Sequence, residues 1–324
     1  MPQTEPSLQE ALDFLLDEDQ GIDGGLLFRY TSFFSDLIPA QLKSILKIWD
    51  EIALPRRHAL LAHLKKELSF DLLYSFEVLG RALLKDADPL PRSFAIRLLD
   101  DCEDDNLVAD FLKIAESDSS FEPRAEAVSA LGAYIYYGEV DELSPENLKK
   151  IEDTLLAIAQ TDKNIELRQR AVESLGFSSR KEVPALIEEA WQRGTTAWKG
   201  YAVLAMGRSH DKGWEEQILE ALLDESEIVR LAATRAAGIM SLASARTILL
   251  TALREEKDEA VLMASIWSLS EIGGEDVREY MLALLDQFDE SEEEQIEYIE
   301  EALANLDFTE DVQSLDLFDF DPEV

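Results

Sequence analysis

Residues 167–176 read Leu167-Arg168-Gln169-Arg170-Ala171-Val172-Glu173-Ser174-Leu175-Gly176, and residues 123–132 read Pro123-Arg124-Ala125-Glu126-Ala127-Val128-Ser129-Ala130-Leu131-Gly132. Both place a basic anchor first, a small residue three positions on, apolar residues at four and seven, and glycine at eight. With anchors at Arg92, Arg124, Arg168, Lys199, Arg230, Leu262 and Ile299, the pattern recurs at steps of 32, 44, 31, 31, 32 and 37 residues. The third position is always small: Ala95, Ala127, Ala171, Ala202, Ala233, Ser265 and Ala302. The seventh holds Leu99, Leu131, Leu175, Met206, Ala237, Leu269 and Leu306. Apolar positions at three, four and seven form the buried stripe of an amphipathic helix. The small residue lets a neighbouring helix approach closely.

Gly132, Gly176, Gly207 and Gly238 follow the stripe, and a glycine there reads as a left-handed C-cap. Second helices are expected near 107–115, 148–159, 183–192, 215–223, 243–253 and 277–288. Such pairs bury their apolar faces only by stacking. The expected fold is all-α: a right-handed α-α superhelix (solenoid) of about six to seven helix pairs. The organisation expected is an irregular helical N-terminal cap over 1–85, a repeat array over 86–306, and an acidic-aromatic tail over 307–324. Within the cap, helices are expected at 8–16, 42–52, 58–68 and 72–84, with a break at Gly21, Gly24 and Gly25. Insertions near Tyr134–Glu146 and Asp286–Glu294 read as surface loops.

The repeat resembles the HEAT-like superfamily in its short bacterial form, which also occurs in phycobilisome lyase subunits. The resemblance covers about residues 86–306 and is carried by the two stretches above and by Val229-Arg230-Leu231-Ala232-Ala233. Leu37-Ile38-Pro39-Ala40-Gln41-Leu42 and Ala205-Met206-Gly207-Arg208-Ser209 also resemble uncharacterised bacterial HEAT-repeat proteins. The resemblance implies a scaffold or adaptor. It also implies that Arg92, Arg124, Arg168 and Arg230 are structural, joining acidic turns of adjacent repeats, a ladder that Lys199 and Leu262 interrupt.

The net charge is −38, from 30 Lys+Arg against 68 Asp+Glu. Such a field repels phosphate backbones and anionic lipid surfaces, so neither nucleic acid nor membrane is an expected partner, whereas a basic protein is. Residues 29–97 carry 11 basic and 8 acidic side chains, and no basic residue follows Arg278. The single cysteine, Cys102, excludes an internal disulfide. A start without a basic and apolar leader, and no run of about 20 apolar residues, point to a cytoplasmic protein.

Catalytic signals are thin. His58 and His63 are five apart and miss the spacing of a helical zinc pair. Hydroxylases with HEAT-like repeats use His-Glu dipeptides, which are absent here. His63 and Glu67 suit an ion pair on the surface of a helix. Ser209-His210-Asp211 are adjacent and cannot form a relay. The acids at 286–294 lack a calcium-loop pattern. The chain is therefore expected to be no enzyme and to hold no cofactor or metal.

The positive binding signal is a cluster of scarce residue types: Trp191, Trp198, Lys199, Tyr201, Arg208 and Trp214. Aromatic and Arg side chains concentrate in binding hot spots. The tail motif Leu317, Phe318 and Phe320 could dock onto a basic segment bearing Arg56, Arg57, Lys65 and Lys66, giving self-association. The expected function is a protein-binding scaffold; the alternative is a lyase-like subunit that positions a prosthetic group on a client protein.

Overall fold

The computed structural model describes residues 6–17, 24–70, 73–100, 102, 104–287 and 292–316. The chain forms two compact units, Met1–Asp162 and Lys163–Val324. All regular structure among the described residues is helical.

The first unit contains α1 (Leu8–Leu16), α2 (Gly24–Phe34), α3 (Pro39–Ile48), α4 (Leu54–Phe70), α5 (Glu77–Leu83), α6 (Pro89–Arg97), α7 (Asn106–Ser117), α8 (Phe121–Glu139) and α9 (Pro145–Thr161). The second contains α10 (Ile165–Leu175), α11 (Val183–Gln192), α12 (Thr196–Ser209), α13 (Glu215–Ala221), α14 (Glu227–Ile239), α15 (Arg246–Glu255), α16 (Glu259–Ile272), α17 (Glu275–Leu285) and α18 (Glu293–Asp316). Polar side chains define several starts by accepting from an otherwise unpaired backbone N–H: Asn164 from Leu167 N at 3.1 Å and Asp258 from Val261 N at 3.0 Å.

In both units alternate helices stack directly. α2, α4, α6 and α8 pack in succession, as do α10, α12, α14, α16 and α18. The latter series carries five of the repeat anchors. Every small third-position residue and every seventh-position residue is fully buried between these helices. The expected repeat architecture is therefore the observed one, and it reaches further: the alternation already runs through α2 and α4, inside the stretch expected to be an irregular cap. There Leu60, Leu61 and Leu64 fill the layer where later repeats use alanine, which hides the pattern.

Several local expectations are corrected. The repeat glycines are not left-handed caps: Gly132, Gly207 and Gly238 lie inside helices, and Gly176 has φ −53°. Gly176, Gly207 and Gly238 are sites of helix contact. A Cβ on Gly176 would stand 2.6 Å from Ala205 O, and one on Gly207 would stand 2.7 Å from Ala236 Cα. The left-handed cap of α12 is His210, at φ 50°. The insertion near Tyr134 is no loop as far as Glu139, because Tyr134, buried with its Oη donating to Cys102 O at 2.7 Å, prolongs α8. Gly24 and Gly25 open α2, a helix unforeseen in the sequence, and the helix expected over 72–84 starts at Glu77. Residues 307–316, expected in the tail, continue α18.

Candidate functional site

The anchor side chains make a ladder within each unit. Arg92 donates from Nε and Nη2 to Asp118, at 2.8 and 2.7 Å, and from Nη1 to Asp86 O at 2.7 Å. Arg124 meets Asp162 at 2.5 Å and Ala115 O at 2.8 Å. Arg230 grips both oxygens of Glu256, at 2.7 and 3.0 Å, and its Nη1 donates to Asp224 O. Asp118 and Glu256 each lie in the turn before the next stacked helix of their unit, where a planar guanidinium can join carboxylate and backbone at once. Lys199 does not interrupt this ladder: its Nζ donates to Asp224 at 2.8 Å, the same turn that Arg230 supports. Arg168 lies 5.8 Å from the Trp198 ring centre.

The tryptophan cluster is mostly interior. Trp191 and Trp198 are each only 8% exposed. Lys199 lies over the Trp191 ring at 5.2 Å and Arg193 over Trp198 at 4.6 Å. These buried rings belong to the α11–α12 layer and present little surface to solvent. Tyr201 and Arg208 are half-buried on the outward side of α12. Trp214 is half-buried at the start of α13.

A different group of side chains shares the outward side of the stacked helices. Positions five and nine after each anchor place Glu173 and Phe177 on α10 and its end, Leu204 and Arg208 on α12, and Arg235 and Ile239 on α14. Trp267 and Glu271 follow on α16, and Phe308 on α18. Trp267 is 37% exposed and tilts against the Tyr298 ring at 6.2 Å; Phe308 is 67% exposed. Trp267 Nε1 donates to Glu271 Oε1 at 3.2 Å. Burial pushes the Glu271 carboxyl above its ordinary range, against that single hydrogen bond. Ile239, Glu271, Asn305, Phe308 and Val312 line a groove of about 330 Å³. These residues escape a search for clustered aromatics, since they lie about 31 residues apart; the repeat register brings them together. On the other side, a groove of about 490 Å³ lies between α13 and α15, lined by Leu222, Leu223, Ile248 and Thr251.

Arg56, Arg57 and Lys65 of the basic N-terminal segment are engaged within the unit. Arg56 is buried, donates to Phe14 O from Nε and Nη2 at 3.2 and 2.6 Å, and covers the Phe14 ring at 4.9 Å. Buried Arg57 donates to Ile52 O at 3.1 Å, and Lys65 donates to Arg97 O at 3.0 Å. Arg56 ties α1 to α4, Lys65 ties α4 to α6, and Lys66 is exposed. The motif Leu317, Phe318 and Phe320 lies outside the described residues, as do Asp289 and Glu290.

The His63–Glu67 pair is likewise not a surface pair. His63 is buried, its Nε2 lies 2.7 Å from Thr31 Oγ1, and burial lowers its pKa. His58 Nε2 reaches Asp88 at 2.8 Å, in the turn before α6. His210 is exposed at the end of α12, while Asp211 receives Gly213 N at 2.8 Å and starts a short 3₁₀ turn, so the Ser-His-Asp run serves a helix junction. Among the described residues no three His, Cys, Asp or Glu side chains converge on a metal position. No described helix is long and apolar enough to cross a membrane.

Comparison with known proteins places the repeats. Residues 183–270 and 215–304 match the family described as HEAT repeats. No curated protein matches the chain significantly. Similar solved structures include the Escherichia coli protein YIBA, with 17% identity over 90% of this chain and 98% of that one, TM-score 0.43. Human deoxyhypusine hydroxylase in complex with glycerol has 16% identity over 82% and 95%, TM-score 0.35. Importin beta has 13% identity over 92% and 46%, TM-score 0.43. Identities and scores this low say nothing about activity. The chain is an all-α helical-repeat protein, and its residues 183–304 carry HEAT repeats.

Proposed function

We propose that this chain is a non-catalytic scaffold or adaptor that holds a protein segment against the α10–α12–α14–α16–α18 side of its second unit. HEAT repeats generally mediate protein–protein contact, and the carrying observation is the row of outward-facing Tyr201, Leu204, Trp267 and Phe308 across those helices. Near-touching backbones at Gly176 and Gly207 draw the stacked helices together, while α13 and α15 stand apart around a groove. Repeat arrays use the surface of one layer of stacked helices for extended partners. Exposed aromatics supply contact area at small entropic cost. The −38 charge selects a basic partner and speeds its encounter. The reading includes a cytoplasmic setting. Positioning a prosthetic group finds no support of its own among the described residues.

Photo-crosslinking residues introduced singly at Leu204, Phe308 and Leu223 test the proposal in host lysate. Capture of one common protein from Leu204 and Phe308, and not from Leu223 on the opposite side, is the expected outcome. Capture from Leu223 alone, or from none of the three, removes the assignment.

A further inference from the structure

Two levels of the repeat carry the same pair of charges in opposite order. On α10 and α12, Glu173 stands five after its anchor and Arg208 nine after the next. The pair is closed: Arg208 Nη2 meets Glu173 Oε1 at 2.7 Å, and its guanidinium covers Phe177 at 5.0 Å. On α14 and α16 the equivalent residues are Arg235 and Glu271. No ion pair joins them among the described residues. The Glu271 carboxylate has Trp267 Nε1 as its hydrogen-bond donor, and Arg235, exposed on α14 and sharing Tyr298 as a neighbour with Glu271, forms no ion pair with it.

This open carboxylate has a seat built for it. A Cβ on Gly238 would collide with Glu271 Oε2 and stand 2.7 Å from Ser268 Oγ. At the earlier levels the corresponding glycines admit a helix backbone; here the glycine admits a carboxylate and a hydroxyl. Ser268 Oγ donates to Thr234 O at 2.9 Å and Asn305 Nδ2 to Ser270 Oγ at 2.8 Å, and both are uncharged groups that leave the charge of Glu271 in place. Around it stand Trp267, Ile239, Phe308 and Val312, all exposed apolar surface. From Glu279 onward the sequence supplies acids and no base. A half-buried carboxylate without an ion-pair partner, walled by aromatic and aliphatic side chains, is complementary to a cationic group on an apolar stem.

We propose that the groove of α14, α16 and α18 receives an arginine or lysine side chain from an otherwise apolar segment of the partner protein, with Glu271 as the ion-pair acceptor and Trp267 and Phe308 as its walls. At the earlier level Arg208 and Glu173 close the pair within the chain; at this level the partner supplies the cation. The inference rests on the scaffold reading and names the chemistry of its partner.

The test uses the full chain and two synthetic amphipathic peptides that alternate leucine with arginine or with citrulline, the uncharged isostere of arginine. Titration calorimetry gives the affinities for wild type, Glu271→Gln and Trp267→Ala. For wild type the citrulline peptide should bind about tenfold more weakly, as for loss of one charge-assisted contact. Against Glu271→Gln the two peptides should differ less than threefold, because the cycle removes the shared interaction. Trp267→Ala should weaken the arginine peptide about tenfold, since it removes a wall and the donor that orients Glu271. An arginine peptide that does not bind, or an arginine preference undiminished in Glu271→Gln with an unchanged melting profile, overturns the inference. Crosslinking from Leu204 and Phe308 is read independently. If it captures a partner equally well with Glu271→Gln, the groove assignment fails alone; if it captures none, the scaffold reading fails.

Discussion

At the residue scale the ladder converts charge into stability. Arg230 closes on Glu256 with two hydrogen bonds and holds that carboxyl down at about 2, from an ordinary 4.5. A folded-state pKa below the unfolded one means that this stabilisation is complete above the ordinary value and is lost as pH falls from 4.5 toward 2. Arg230→Met should cost about 1–3 kcal/mol in urea denaturation at pH 7. Its difference from wild type should shrink as pH falls through that window; a constant difference argues against a charge-based role. His63 has the same sign for another reason. Burial lowers its pKa, with Lys66 lowering it further and Glu67 opposing. The unfolded chain therefore takes up the proton first, and stability falls as pH drops below the ordinary 6.5. His63→Gln, which can keep a hydrogen bond to Thr31, should flatten the melting temperature between about pH 7 and pH 5 relative to wild type.

Two glycines of one helix separate close packing from backbone freedom at the element scale. In α12, a Cβ on Gly207 would meet Ala236 Cα at 2.7 Å, whereas one on Gly200 would find Ile228 Cγ2 at 3.6 Å, an ordinary contact. Both glycines are buried. Gly207→Ala forces α12 off α14 and should destabilise by about 1–3 kcal/mol. Gly200→Ala adds a better helix former without a clash and should stabilise by about 0.5–1 kcal/mol. Paired thermal melts of the two variants decide the point, and equal shifts of the same sign would show that helix propensity rather than approach distance controls this layer. The 44-residue repeat step is explained at the same scale: the extra sequence lengthens α8 to Glu139 and α9 to 17 residues, because Tyr134 and Leu143 are buried rather than looped out.

Across the whole molecule, 68 acids against 30 bases set a self-repulsion that the ladders offset only locally. Raising NaCl from about 0.02 M to about 0.2 M shortens the screening length roughly threefold, and the melting temperature should rise. A fall would mean that the ladder ion pairs outweigh the net repulsion. Salt should also weaken binding of a basic partner, so stability and affinity move in opposite directions. That divergence distinguishes a field that selects a partner from one that merely keeps the chain in solution.

By itself the sequence determined the repeat, the helix register and the acidic field. These are local properties: Ala or Ser at the third position and Leu, Met or Ala at the seventh define a buried stripe whatever lies opposite. The anchor residues were legible for the same reason, but Lys199 was misread, because only the fold shows Asp224 within its reach. Tertiary structure decided what each exposed or buried group faces. It turned Gly176 and Gly207 from caps into contact points, buried Trp191 and Trp198, and spent Arg56 on holding α1 and Arg57 on the turn before α4. It also gathered Arg235, Trp267, Glu271 and Phe308 from three helices onto one surface. Residues so far apart in sequence carry no local signal of their proximity. Stacking places equivalent positions of successive repeats side by side, and which neighbours then pair, as Arg208 with Glu173, or stay open, as Glu271, depends on distances that no periodicity encodes.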